Sequence, residues 1–240
     1  MSRRILVTGG GSGIGRAIAR AFADAGDSVT ITGRRMEALE ESARGWNMAF
    51  RVADVTNEAQ VAALFDQTFD VVIANAGGGS AGKLRSITLA DWNATLAANM
   101  TSTFLTFREA LKGMGTGGRL IAMASTASLK GGATIPAYAA AKHGVLGLVR
   151  SVALEVAKKG ITCNAVCPGF VDTPLAAQAV GAVQERFGLN EEAALAQIVA
   201  DNPMARLIAP EEVVAAVMFL ASPSAAMING HALSVSGGEI

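Results

Sequence analysis

The chain has 240 residues, 20 basic against 20 acidic side chains for a formal net charge of zero, and a composition that is 51% hydrophobic. That length suits one sizeable domain able to bury a core without staples, and the balanced charge, with no basic run, argues against nucleic acid and anionic membranes and for a small diffusible ligand. The two cysteines, Cys163 and Cys167, read as reduced core residues, and the two histidines, His143 and His231, stand in no ligand spacing, so no metal site is expected.

Short β-branched or apolar runs alternate with alanine-rich stretches from end to end, the pattern of a parallel sheet covered by helices on both faces. The first predicted strand, Arg4–Thr8, turns at once into glycines, leaving no room for the apolar core of a signal peptide. It opens the run Thr8-Gly9-Gly10-Gly11-Ser12-Gly13-Ile14-Gly15 and then a helix through Ile18, Ala19 and Phe22 to about Ala25. Glycines let the backbone approach a pyrophosphate, and a helix N-terminus offers it unpaired N–H groups. The spacing differs from the common Gly-x-Gly-x-x-Gly fingerprint, and a tight strand-to-helix connection is the alternative use.

The second predicted strand, Ser28–Thr32, ends in Thr32-Gly33-Arg34-Arg35, where an acidic residue would usually accept hydrogen bonds from the adenosine ribose of NAD. Two guanidiniums in its place suit a 2′-phosphate and favour NADP(H), with NAD(H) as the alternative. The competing reading has Glu37, Glu40 and Glu41 occupying the arginines, with Arg35 a solvated residue at the start of the next helix. Further strands are predicted at Ala49–Val52, Asp70–Ala74, Arg119–Ala124, Ile161–Val166 and Ala232–Val235, which makes a doubly wound, seven-stranded parallel sheet. Ligands of such sheets bind outside the carboxyl ends of the strands, so the loops after Thr8, Thr32, Ala74, Ala124 and Val166 are suspects together.

The loop after the fifth strand carries Ser125, and thirteen residues later comes the chain's only tyrosine, Tyr138, one helical turn before Lys142. Residues four apart share a helix face, so an ammonium there is expected to lower the phenol's pKa from about 10 toward the working pH and make Tyr138 an acid and base. After the sixth strand, residues 174–204 contain no strand, only two helical pieces, Ala176–Phe187 and Glu191–Ala200. An excursion leaving the carboxyl end of a strand is placed to act as a lid over the site; the alternative is a surface insertion that packs on another subunit. The longest uncharged run, Val213 to Gly238, is broken by Ser222-Pro223-Ser224 and Asn229-Gly230 and reads as helix end, turn and strand rather than a membrane span. A soluble cytoplasmic protein is the expectation.

In this order the glycine loop, serine, tyrosine and lysine resemble the short-chain dehydrogenase/reductase family over essentially the whole chain. The resemblance implies one Rossmann-like α/β oxidoreductase domain over residues 1–240, with a substrate lid at about 174–204. It matches Gly9, Ser12, Gly13, Ile14 and Gly15, the pair Asp54-Val55 and the run Asn75-Ala76-Gly77 to cofactor binding, the last two motifs lining its adenosine half. Asn99, Ser125, Tyr138 and Lys142 match the catalytic tetrad, and Pro168, Gly169, Val171 and Thr173 match the segment that holds the nicotinamide. Tyr138 would then exchange a proton with the reacting oxygen, Ser125 would hydrogen-bond it, Lys142 would hold the nicotinamide ribose, and Asn99 would position a relay water. Departures are Ala74, where the family often has asparagine, and a short connection, Phe65–Phe69, before the fourth strand.

These readings combine into an NADP-preferring oxidoreductase that interconverts a ketone and a secondary alcohol, with a 3-oxoacyl thioester as one candidate substrate. Two alternatives stand beside it: an NAD-dependent alcohol or hydroxy-acid dehydrogenase working oxidatively, and a cofactor-sensing protein without turnover. The resemblance also implies a homotetramer, with subunit contacts near Trp92–Leu111, Tyr138–Val156 and the C-terminal Leu233–Gly238.

Overall fold

A computed structural model describes residues 2–79 and 81–240. One sheet of seven strands organises them: β1 Arg4–Thr8, β2 Ser28–Gly33, β3 Met48–Val52, β4 Val71–Ala74, β5 Arg119–Met123, β6 Thr162–Pro168 and β7 Ala232–Val235. Their order is β3-β2-β1-β4-β5-β6-β7 and every pairing is parallel, as the strand and helix alternation predicts. The chain reverses its winding direction between β1 and β4, so the loops leaving these strands part there and open a crevice at the carboxyl edge.

Alternation along the strands builds the core. Ile5, Val7, Ile31, Ile73 and Ile121 face α1 (Gly13–Asp24) on one side, together with apolar residues of α9 (Pro210–Leu220). Leu6, Val72, Leu120, Cys163 and Cys167 face the other side, where they meet α5 (Ser102–Leu111) and α6 (Pro136–Val156). A period of two thus gives both faces of each central strand an apolar partner. Both cysteines are free and buried, and burial pushes the Cys167 thiol up to about 11. No helix among the described residues is long and apolar enough to cross a membrane.

The sixth strand runs two residues beyond its predicted end, to Pro168. A proline is tolerated because β5 stops at Met123, opposite Val166, so no ladder bond is required from position 168 on that side, while the Gly169 N–H bonds Val235 on the other. The remaining helices are α2 (Met36–Ala43), α3 (Glu58–Leu64), α4 (Leu89–Leu96), α7 (Pro174–Phe187) and α8 (Glu191–Ile198). Between α4 and α5 the chain forms a wider, π-helical turn at Ala97–Thr101, which residue patterning did not predict.

Candidate active site

The glycine loop lies between β1 and α1 at the crevice. Ser12 is the N-cap of α1 but places no side-chain oxygen on the first-turn N–H groups, which stay open to an anion. Asn75, leaving β4, ties the loop down from the other side: its Nδ2 donates to Thr8 O at 2.9 Å and Gly9 O at 3.3 Å. Thr8 Oγ1 accepts from the N–H groups of Asn75 and Ala76, both at 3.0 Å. A methyl on Gly15 would overlap Gly9 O and Asn75 Nδ2, so only glycine permits this approach. The resulting cradle, with the first turn of α1 uncapped by any side chain, fits the pyrophosphate of a dinucleotide. Thr8 heads the glycine run that the sequence marks, and the structure adds what its hydroxyl does there, which is to tie the loop after β1 to the loop after β4.

At the carboxyl end of β2, Arg34 and Arg35 are exposed, and neither forms an ion pair among the described residues. Glu41 does not occupy them; it pairs at 3.0 Å with Arg16, whose guanidinium also donates to Gly11 O at 2.7 Å. Asp54 accepts from the N–H and hydroxyl of Thr56 at 2.9 and 2.7 Å, and these bonds, aided by the Arg34 charge, hold its carboxyl below the usual range. Val55 is buried with Val61 and Leu105, against partly buried Ala76, so the two motifs matched to the adenosine half share one apolar cluster.

Beyond Gly77 the chain is clamped by Asn99 from the π-helical turn. Its Nδ2 donates to Gly78 O at 2.7 Å and to Thr95 O at 2.9 Å, and its Oδ1 accepts from Gly78 N at 3.1 Å. Asn99 is fully buried. Held this way, Gly79 lies so close to Tyr138 that a Cβ there would stand 2.7 Å from the ring's Cδ2. Gly79 is a residue that sequence reasoning passed over; the uninterrupted run of three glycines, Gly77 to Gly79, was its only signal.

Ser125 caps the short 3-10 turn Thr126–Ser128: its Oγ accepts from Ala127 N at 3.1 Å, which leaves the hydroxyl proton free to be donated elsewhere. Lys142 is buried, donates to Met123 O at 2.8 Å and lies 5.5 Å from the centre of the Tyr138 ring. The expected depression of the tyrosine's pKa is not what the geometry gives. Burial raises Tyr138 above the ordinary value and a hydrogen bond from Ser125 only partly offsets it, because the ammonium sits against the ring and loss of solvent dominates.

Burial likewise lowers Lys142 from 10.5 to about 8. The unfolded chain therefore binds more protons than the folded one between these values, so the lysine penalises the fold fully below about pH 8 and less as pH rises to 10.5. At about 1.4 kcal/mol per unit this penalty is about 3 kcal/mol. Lys142→Met removes it and leaves Met123 O without its donor, a loss of about 1–3 kcal/mol that does not vary with pH. The stability of the variant relative to the native protein should accordingly fall by about 3 kcal/mol between pH 7 and pH 10.5. Urea unfolding of both cofactor-free proteins at the two pH values measures this, and a difference that does not change with pH overturns it.

Pro168 and Gly169 leave β6 next to this cluster. Thr173 Cγ2 would stand 3.4 Å from a Cβ on Gly13, which brings the start of the excursion over the glycine loop. Val171 and Ile208 form an isolated parallel bridge, fastened by Asp172 N to Ile208 O and Ile208 N to Phe170 O, both at 2.9 Å. Helices α7 and α8 are thus carried on a closed stem. The structure brings Asn99, Ser125, Tyr138 and Lys142 to one end of the crevice and Arg34, Arg35 and Asp54 to the other.

The profile of the family described as enoyl-(acyl carrier protein) reductase matches residues 9–239. A Streptomyces violaceoruber protein assigned as ketoacyl reductase 1 of the granaticin polyketide synthase is 36% identical, over 97% of this chain and 91% of its own length. The D-beta-hydroxybutyrate dehydrogenase of Cupriavidus necator is 34% identical, over 98% of this chain and 96% of its own. Among solved structures, a phenylalanine-to-tryptophan variant of the actinorhodin polyketide ketoreductase with NADPH superposes with a TM-score of 0.93 at 36% identity, covering 99% of this chain and 97% of that one.

Proposed function

We propose, from the premise that the chain belongs to the short-chain dehydrogenase/reductase family and is a nicotinamide-dependent oxidoreductase of ketones and secondary alcohols, that it reduces 3-oxoacyl thioesters with NADPH. The observation that carries the cofactor preference is the pair Arg34 and Arg35, unengaged at the end of β2 with no carboxylate beside them on that strand. A 2′-phosphate there receives charge-assisted hydrogen bonds that an unphosphorylated ribose cannot match. The acyl substrate is supported by relatives named for ketoacyl and 3-hydroxy compounds, and by exposed Leu175, Phe187 and Met204 on the excursion, which acts as a lid offering apolar surface.

When bound, the nicotinamide ring supplies the hydride for reduction or accepts it for oxidation. Tyr138 gives its proton to the carbonyl oxygen, and its raised pKa keeps that proton in place at neutral pH. Ser125 donates its hydroxyl proton to the same oxygen and stabilises the charge that develops there. Lys142 has one of three N–H donors on Met123 O and two left for the nicotinamide ribose. Asn99 sets the Gly77–Gly79 loop against Tyr138, and one lone pair of its Oδ1 remains for a relay water. Pro168, Gly169, Val171 and Thr173 would hold the nicotinamide. In this reading the molecule works in the cytoplasm and assembles as a homotetramer, the assembly being supported by exposed Phe104, Leu154 and Phe219 on α5, α6 and α9.

Initial rates of NADPH and NADH oxidation with acetoacetyl thioester test this reading. The native protein should prefer NADPH, and Arg34→Ala/Arg35→Ala should lose about 10- to 150-fold with NADPH, as expected for about 1.5–3 kcal/mol of charge-assisted bonding, with little change for NADH. An unchanged cofactor ratio refutes the role of the arginines. Oxidation of free 3-hydroxybutyrate with NAD, without turnover of the thioester, favours the hydroxy-acid dehydrogenase reading instead.

A further inference from the structure

Three chain segments around the site meet on one ammonium group. Lys130 follows the turn that begins at Ser125, and its N–H is fixed to Thr126 O at 3.0 Å. Its Nζ lies 2.7 Å from Asp201 Oδ2 and 2.9 Å from Glu239 Oε1. Asp201 stands just beyond α8, on the returning arm of the excursion, and Glu239 is the penultimate residue. The other oxygen of Glu239 covers Gly169, at 2.8 Å from where a Cβ would stand. A single cation therefore connects the Ser125 loop, the stretch after α8 and the C-terminal tail, and the tail lies over Gly169.

The two carboxylates are not equivalent. Asp201 is 75% exposed and Glu239 only 10%. An exposed pair contributes little, whereas a buried carboxylate deprived of its cation is costly, so the bond to Glu239 dominates. Both carboxylates raise the Lys130 pKa, which keeps it charged throughout the neutral range.

The C-terminal segment is also the seat of the returning arm. Gly237 has φ +63°, and a methyl there would overlap the Asn202 amide; Pro203 comes within 3.4 Å of a Cβ on Gly238. Asn202 is fixed in its own turn, accepting from Met204 N at 2.9 Å and donating to Arg206 O at 2.8 Å. Backbone shape and ion pairing thus dock the same arm on the same four-residue tail.

We propose that Lys130 and Glu239 are positioning residues, which set the nicotinamide-side segment Pro168–Thr173 and the returning arm of the lid against Ser125, so that the C-terminal tail is a working part of the site. This rests on the reading that Pro168–Thr173 holds the nicotinamide. Neither residue touches the reacting atoms. Their effect falls on the half of the site where chemistry occurs and leaves the adenosine half, built from β1, β2 and β4, unchanged.

The test compares Kd for NADPH with Kd for 2′-phospho-ADP-ribose, which lacks the nicotinamide, and measures kcat and KM for acetoacetyl thioester. A native protein that binds both ligands equally removes the underlying reading of Pro168–Thr173 and the proposal with it. Given a native preference for NADPH, Lys130→Met and Glu239→Gln should erode that preference and lower kcat/KM by about 10- to 100-fold, while 2′-phospho-ADP-ribose binds as before. Lys130→Arg should restore most of the loss, and Asp201→Asn should change little. Variants that leave both the preference and kcat/KM unchanged overturn the proposal, as do variants that weaken both ligands in parallel with lost stability. Glu239→Gln keeps the side chain's shape and removes only charge, so it decides the question if Lys130→Met does not fold.

Discussion

Tyr138→Phe should lower kcat/KM for acetoacetyl thioester by about 10²- to 10⁴-fold, the range associated with losing a positioned general acid. The variant should fold and bind cofactor, because a phenylalanine keeps the ring that packs on Gly79 and faces Lys142 at 5.5 Å. Only the hydroxyl is lost. Ser125 can still hydrogen-bond the oxygen but has no base behind it to replace the proton. The native pH profile should carry the same signature: reduction needs protonated Tyr138 and declines only as pH rises through its elevated pKa, whereas oxidation needs the phenolate and gains over that interval. Stopped-flow NADPH oxidation, with a melting curve for each protein, measures the effect. A variant that folds and retains more than about a tenth of the native rate rules out the acid role.

Gly15→Ala should weaken NADPH by about 100-fold, as expected when two N–H bonds to a charged phosphate are lost at about 1.5 kcal/mol each. A methyl at position 15 meets Gly9 O, which is backbone, and Asn75 Nδ2, which is held by Thr8 O at 2.9 Å. Neither can move without opening the cradle or breaking the tie between β1 and β4. Overpacking of this kind adds about 1–3 kcal/mol of destabilisation. Gly11→Ala is the internal control, because its nearest neighbour is the Ala38 Cβ at 3.3 Å, a contact relieved by a shift of a few tenths of an ångström. NADPH fluorescence titrations of the two variants decide it: comparable losses would mean that loop composition, not the close approach at Gly15, controls binding.

Tyr138 and Lys142 separate what spacing conveys from what it does not. A four-residue interval places both side chains on one face of α6, and the structure has them there. The direction of the pKa shift did not follow, because it depends on how much solvent other elements remove. Walls contributed by Met123, Gly77 and Gly79 desolvate the pair, and that outweighs a cation lying against the ring instead of at the hydroxyl. Asn99 is a parallel case. Motif order picked out the residue, yet its bonds to Gly78 depend on a π-helical turn that no residue type marks in advance.

Sequence alone determined the seven strands, the parallel class of sheet, the glycine-rich turn between β1 and α1, the arginines ending β2 and the order of serine, tyrosine and lysine. The strands, the glycine turn and the side-chain spacings rest on information held within a few residues of chain, and the parallel class rests on the alternation of strand-like and helical stretches along it. Tertiary structure alone decided that Thr8 ties two loops together, that Gly79 must be bare to admit Tyr138, and that Lys130 bridges Asp201 and Glu239. Those contacts join residues far apart in sequence, and they exist because the strand order brings particular loop ends to one edge. Charge and burial at such meeting points belong to the assembled neighbourhood, since solvent exclusion is set by every element packed around a group and not by the group's own segment.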